Sequence, residues 1–491
     1  MDHIVSVLLS FPPGNELSNA QYDKAAQAHI KKIDKLVEEN VPAFAAAAPQ
    51  CLELVSPEIN SLSYLALLRI VLADEKTTEA QRVGVLPKLV TFLFTFDPRQ
   101  IRYAGNILSA ILRAIANREL LPDSVAVDSL ATAILRINPA GSMLTSHHIS
   151  LVQLAYESNC IDASIPVLEK TVVFYPGMKG AGEKPFPSDM TLTPPAYITV
   201  DSGLTTKLST TDVLQYDLLC GLCFMAKRMW QQAFDALERV ITYPTKDTAC
   251  SKIMVEAHNK WILVGLLLYG KTPSLPAITS PGPQKMFATL GKPYASIGKA
   301  FESLTPDTLK AEYDTFLGQN FFAEEANRAL IDLVMMHYQR WQIINLRDVY
   351  TKISLEEIRA RTQSAETCAQ LKTEKEIETL VQAMIDEGML NGVIEKSEDG
   401  SKPAYLTFLS LTEELSEYEF GEKMLATAQR IKELAPIVKA TSERLATSRE
   451  YIRHLVKEQK REKDGGSRDI AVAFESSIED EDLMTGIMAG H

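Results

Sequence analysis

The chain is predicted to be mostly α-helical: an array of stacked helix pairs, then a winged helix, then C-terminal helices. Three observations predict it. Apolar residues recur at intervals of three and four along most of the chain, and strand-like alternation is nearly absent before residue 389. One run of three helices then ends in a β-hairpin pattern, the order of a winged helix. At 491 residues, 46% hydrophobic and 23% charged, the chain is long enough for about three domains.

The first 175 residues read as helix after helix. Ser18 and Gln21 form a capping box that opens a run with Tyr22, Ala25, Ala26, His29, Ile30, Ile33, Leu36 and Val37 on one face. Asn40-Val41-Pro42 stops it. Further helices are expected at 61–73, 80–96, 99–117, 125–137 and 146–157, with short breaks that make successive helices antiparallel neighbours. Ile4 to Phe11 is apolar but has no basic flank and meets Pro12-Pro13, so a short surface helix or strand end is expected there, not a secretory signal.

Between Pro176 and Thr211, nine of 36 residues are Gly or Pro, which predicts a mobile surface insertion. After it, Gly221 lies twelve residues before Ala233, with Phe224, Leu237, Val240 and Pro244 at the large positions. That is the small/large spacing of a TPR-like (tetratricopeptide-type) helix pair, in which the small residues let two helices approach.

A long helix is expected over 324–346. Ser354–Glu357 and Thr373–Glu376 are capping boxes for two more, the second closed by Gly388. Met389–Lys396 and Ala404–Leu409 then read as strands joined by Ser397-Glu398-Asp399-Gly400, the one convincing β region of the sequence.

Beyond it, Ile431, Val438, Leu445 and Ile452 recur every seven residues, as do Leu434, Thr441, Ser448 and Leu455. This is a seam for packing on other helices, which Pro436 is expected to kink or split. Residues 465–491 carry a net charge of −5 and read as an acidic disordered tail, where Ser476 and Ser477 each precede an acid by three.

Composition excludes several function classes. The net charge of −13 disfavours a phosphate-neutralising surface. Six irregularly spaced Cys make no disulfide framework and fit a reducing compartment, cytoplasm or nucleus. The most apolar run, Trp261 to Tyr269, is nine residues, under half of the ~20 needed to span a membrane.

The chemical motifs fare no better. Gly265 to Thr272 satisfies the phosphate-loop pattern in letters, yet its bulky interior and Pro273 make Gly270 a helix stop with Lys271 complementing the dipole. Cys220 and Cys223 lack a second zinc pair and read as core. His147-His148 belongs to no hydrolytic metal motif and reads as a solvated helix start. The third winged-helix helix carries Glu374, Glu376, Glu378, Asp386 and Glu387 against Lys375 alone, so it is expected to contact protein instead of nucleic acid. No catalytic residue, metal or cofactor is expected.

Helical repeats running into a winged helix resemble the PCI family, shared by the proteasome lid, the COP-9 signalosome and a translation initiation factor. The residues that carry the likeness are Ser354-Leu-Glu-Glu-Ile358, Glu376-Ile377-Glu378, Met384 through Leu390, and Tyr405-Leu406. The segment from Ser251 to Lys271, with its lead-in Ala233-Phe234 to Pro244, is similar to the signalosome branch. The likeness is strong over 212–410, weak over 1–175 and absent from 176–211.

The resemblance implies a PCI domain at 212–410 (repeats 212–323, winged helix 324–410), bundle helices at 411–464, and a non-catalytic scaffold role in the complex that removes Nedd8 from cullins. The zinc chemistry would sit in a different subunit. Family neighbours would be subunits one and eight. Met389, Val393, Ile394, Tyr405 and Phe408 would offer the sheet contact, and Ile431, Leu434, Val438, Leu445, Ile452 and Leu455 would enter the bundle. The residues point the same way by themselves, since an unpaired sheet edge and an unpartnered apolar seam both call for assembly. A nucleic-acid-associated PCI protein is the less favoured alternative, behind membership of the lid or the initiation factor.

Overall fold

The computed structural model describes residues 2–13, 17–39, 41–73, 79–176, 186–245, 249–303, 305–318, 325–396, 403–409 and 417–463. The chain divides into two units, 1–409 and 410–491.

In the first unit the repeats begin with α1 (Asp2–Leu8), α2 (Asn19–Glu39), α3 (Val41–Leu54) and α4 (Ser61–Ala73). Ser18 and Gln21 make the expected reciprocal cap: the Ser18 amide donates to Gln21 Oε1 (3.1 Å) and the Gln21 amide to Ser18 Oγ (3.4 Å). The N-terminal apolar segment is not a surface element. Leu8 and Phe11 are buried, and Asn60 Nδ2 donates to the Phe11 carbonyl at 2.6 Å. Helix α3, built from Ala, Leu and a Cys without a clear amphipathic stripe, has no counterpart among the sequence expectations.

Next come α5 (Glu79–Thr95), α6 (Pro98–Ile101), α7 (Gly105–Ala116), α8 (Asp123–Ile137) and α9 (Ser146–Glu157). The single helix expected at 99–117 is therefore two. Asp97 caps α6 by accepting from the Arg99 amide (2.9 Å), and the turn at 102–104 re-aims the chain. Arg136 of α8 donates to the carbonyls of Thr95 (2.9 Å) and Phe96 (2.6 Å), satisfying the open end of α5.

After α10 (Ile165–Leu168), the region expected to be a mobile insertion is instead anchored over its described half. It includes the short helix α11 (Pro194–Tyr197). Tyr197, Ile198 and Leu204 are buried in the first core, beside residues of α2, α4, α7 and α8. Two side chains of this region bond to the repeats, Ser188 Oγ to Asn19 O (2.9 Å) and Tyr197 Oη to Ile137 O (3.1 Å). The other anchors include main-chain carbonyls. Arg99 Nε donates to Ser188 O (2.9 Å), and Arg102 Nη1 donates to Pro187 O (2.9 Å) and Asp189 O (2.7 Å). Each guanidinium also stacks on a tyrosine, Arg99 on Tyr22 at 3.8 Å and Arg102 on Tyr197 at 3.6 Å. We refer to residues 186–205 as the strap.

The second core is built by α12 (Thr210–Ala226), α13 (Trp230–Ile241), α14 (Lys252–Tyr269), α15 (Pro281–Leu290), α16 (Lys292–Glu302), α17 (Pro306–Gly318) and α18 (Glu325–Asn345). The Gly221 spacing does what it predicts. A Cβ at Gly221 would lie 3.0 Å from the Leu237 side chain, so the absence of one lets α12 and α13 touch. Helix α9 serves both cores, sending Leu151 and Leu154 to the first and Val152 to the second.

The third core belongs to the winged helix: α18, then β1 (Lys352–Ser354), α19 (Leu355–Arg361), α20 (Glu374–Asp386), β2 (Gly392–Glu395) and β3 (Tyr405–Phe408). Ser354 Oγ accepts from the Glu357 amide (3.2 Å) and Thr373 Oγ1 from the Glu376 amide (3.3 Å). Only Thr373 closes the expected box, since Glu357 Oε1 accepts from Arg361 Nε (3.0 Å) and makes no return bond to Ser354. Strand β1 was not expected. It makes the sheet three-stranded and antiparallel, in the order β1-β3-β2. The Ser397–Gly400 turn lies outside the described residues. Trp341 of α18 lies against both the second and the third cores, and its Nε1 donates to Leu267 O of α14 at 3.2 Å.

The second unit contains α21 (Glu417–Ala446) and α22 (Arg449–Lys463). Pro436 does not split α21. One proline removes one N–H and frees one carbonyl a turn back, and on a solvated helix water can take that carbonyl. The break comes at Thr447-Ser448, where Ser448 Oγ accepts from the Tyr451 amide (3.3 Å) and opens α22. Ser448, expected as a polar gap in the seam, is a helix start. The acidic tail with Ser476 and Ser477 lies outside the described residues.

Candidate subunit interfaces

The register of the sheet sorts its residues by face. Leu406 pairs with both Ile353 and Ile394, and all three turn inward onto the third core together with Phe408. The outer face carries Lys352, Val393, Glu395, Tyr405 and Thr407. Lys352 pairs with Glu395 across β3, Thr407 Oγ1 donates to Glu395 Oε1 (2.8 Å), and these bonds hold the Glu395 carboxyl below its usual range. Lys352 also lies 5.3 Å from the Tyr405 ring.

Of the five sheet residues singled out in the sequence, Val393 is exposed (49%) and Tyr405 half-buried on the outer face. Ile394 and Phe408 face inward and Met389 packs at the core rim. Strand β2 pairs with β3 on one side only, which leaves its other edge unpaired among the described residues.

On α21, Ile431 (63%), Val438 (60%) and Leu445 (49%) are exposed, and so are Ile452 (48%) and Leu455 (38%) on α22. Leu434 is half-buried. Periodicity missed the start of α21, where Tyr418, Phe420, Met424 and Leu425 are all exposed. Four large apolar side chains within eight residues on a solvated helix was the available signal.

The motifs set aside in the sequence stay outside any site. Gly265 lies within α14, and a Cβ there would meet Pro273 at 2.6 Å. Gly270 ends the helix in the left-handed region (φ 69°), its amide donating to Leu266 O. Cys220 and Cys223 are buried in the second core. Burial pushes both thiols up, Cys223 to about 12, so neither is a thiolate at neutral pH. Among the described residues no group of three or more His, Cys, Asp or Glu could hold a metal.

His147 and His148 are not solvated. Both are buried, and burial lowers their pKa values to about 4 and about 3. His148 Nδ1 accepts from the Thr145 amide (3.2 Å), closing a capping box. The Ser109 hydroxyl donates to Gly203 O (2.5 Å), so the proton between His147 Nε2 and Ser109 Oγ (2.9 Å) is the histidine's.

On α20, Glu378 pairs with Lys396 (2.5 Å) and Glu387 pairs with Arg340, both within the winged helix. No helix among the described residues is long and apolar enough to cross a membrane.

A family model described as COP9 signalosome complex subunit 3, N-terminal helical repeats, matches residues 20–182 and 189–282. The COP9 signalosome complex subunit 3 of Neurospora crassa is 47% identical over the full length of both chains. This chain belongs to that family. The subunit 3 of Emericella nidulans is 31% identical over 94% of both chains, and that of Dictyostelium discoideum 24% identical over 67% of this chain and 69% of its own. The family match includes the first repeats, where the sequence likeness was weak. It resumes at residue 189, so most of the strap lies within the matched residues.

Proposed function

We propose that this chain is a non-catalytic scaffold subunit of the COP9 signalosome, acting in the cytoplasm and nucleus within the assembly that removes Nedd8 from cullins. The observation that carries the scaffold reading is the apolar surface of α21 and α22. Ile431, Val438, Leu445, Ile452 and Leu455, joined by Tyr418, Phe420, Met424 and Leu425, stand in solvent along 30- and 15-residue helices. A lone helix gains little from such residues, whereas a bundle of helices from several subunits would bury them. The open edge of β2, with Val393 outward, supports a lateral contact by strand addition to a neighbouring winged helix, with subunits one and eight as the neighbours. The acids on α20 support contact with protein over nucleic acid.

Gentle affinity purification of the tagged full chain should recover the other signalosome subunits. Recovery of proteasome-lid or initiation-factor subunits in their place would refute the reading. Leu445→Asp with Ile452→Asp should reduce recovery about tenfold or more while leaving helical circular dichroism unchanged. Equal incorporation of the double variant would remove the seam from the argument.

A further inference from the structure

Helical spacing puts Ile452, Leu455 and Val456 of α22 on one face, and all three are exposed. Arg449 and Arg453, exposed as well and one turn apart, flank that face on the Val456 side. In sequence the helix carries six bases against three acids, in a chain whose net charge is −13. An apolar stripe edged by cations selects an occupant that is both apolar and acidic.

The sequence that follows α22 has that composition. Asp464-Gly465-Gly466 is turn chemistry, suited to reversing the chain onto the helix it has left. Ile470, Val472, Phe474 and Ile478 then fall at even spacing, which aligns them on one face of an extended segment. Glu475 and the run Glu479-Asp480-Glu481-Asp482 carry the negative charge. The lengths agree: Ile470 to Ile478 would cover about 27 Å extended, and the 15-residue helix covers about 22 Å.

Tethering decides between this segment and a second copy of the chain. Only residues 464–469 separate it from α22, and a tether this short sets a local concentration of about a millimolar. A second copy at micromolar concentration would need about a thousandfold higher affinity to compete.

We propose that in the free chain residues 470–482 dock along α22. Ile470, Val472 and Phe474 cover Ile452, Leu455 and Val456, and the acids lie beside Arg453 and Arg449. The chain's own tail thus occupies the seam before assembly and leaves it when helices of other subunits bind, an autoinhibitory cover. That regulatory part rests on the assembly reading of the seam given above, whereas the docking itself does not.

Hydrogen exchange of the purified full chain, read by mass spectrometry over residues 449–457, tests the docking. Ile470→Asp with Phe474→Asp should speed exchange there about tenfold while circular dichroism stays unchanged. Arg449→Glu with Arg453→Glu should do the same, and adding Glu475→Lys with Glu479→Lys should restore the slow rate. Identical exchange in the wild type and both double variants would overturn the proposal. Protection that fades on dilution would overturn it too, because it would assign the seam to a second copy. Recovery of other subunits is read separately. The Ile470→Asp, Phe474→Asp chain should enter the assembly at least as well as the wild type, and impaired entry would overturn the autoinhibitory part. Equal incorporation of the Leu445→Asp, Ile452→Asp chain would instead refute the seam in assembly and leave the exchange result standing.

Discussion

Lowering the pH from 7 to 5 is expected to cost the fold about 8 kcal/mol and to unfold the repeat array cooperatively between about pH 5 and pH 4. Among the described residues four histidines are buried: His29, His147, His148 and His258. Burial lowers each, His148 to about 3 and the other three to about 4. All four are neutral in the fold, whereas in the unfolded chain each titrates near its ordinary value of about 6.5. Below that value the unfolded state binds more protons, so stability falls as the pH drops, until the folded-state values are reached. At pH 5 each histidine contributes about 2 kcal/mol to that loss.

Asp217, raised by burial beside Arg239, runs the opposite way but is a single group. Circular dichroism and tryptophan fluorescence followed against pH would check the prediction. His147→Gln should flatten the curve by about a quarter, and stability unchanged down to pH 4 would contradict it.

Gly270→Ala should cost about 4 kcal/mol, while Gly388→Ala should cost about 1. Both glycines occupy the left-handed region at helix ends, at φ 69° and 70°. Their surroundings differ. A Cβ at Gly270 would lie 2.4 Å from the Trp341 indole, whereas nothing stands within 4 Å of one at Gly388. Backbone strain is therefore common to both, and the difference isolates the packing of Trp341. Pushing that ring away also threatens its bond to Leu267 O, and with it the contact between the second and third cores. Paired urea titrations would measure the gap, and equal losses would show that the indole yields without cost.

What the sequence disclosed was local. The boxes at Ser18 and Thr373 and the single cap at Ser354 each close within three or four residues, so the letters alone contain both partners. The Gly221–Leu237 contact was legible because a repeat fixes its own spacing. What it hid was long-range. His147 is dry because Ser109 and the strap surround it, 38 residues away in sequence in the case of Ser109. Strand β1, three residues long, exists only because β3 offers it a ladder. The hairpin residues were gathered by hydropathy, but only the register could separate Val393 and Tyr405 from Ile394 and Phe408. The α21–α22 seam was readable since heptad spacing needs no partner in view, although Ser448 concealed a helix start.

The strap has a further consequence. Arg99, Arg102 and Ser109 grip it through the carbonyls of Pro187, Ser188, Asp189 and Gly203, groups that every residue type provides. Most of its exposed side chains, such as Phe186 and Met190, are thereby released from the task of holding it in place. Random substitution should reveal a stretch whose exposed letters drift freely while its path is inherited, with intolerance concentrated in the three gripping residues on α6 to α7 and in the strap's own buried Ser188, Tyr197, Ile198 and Leu204.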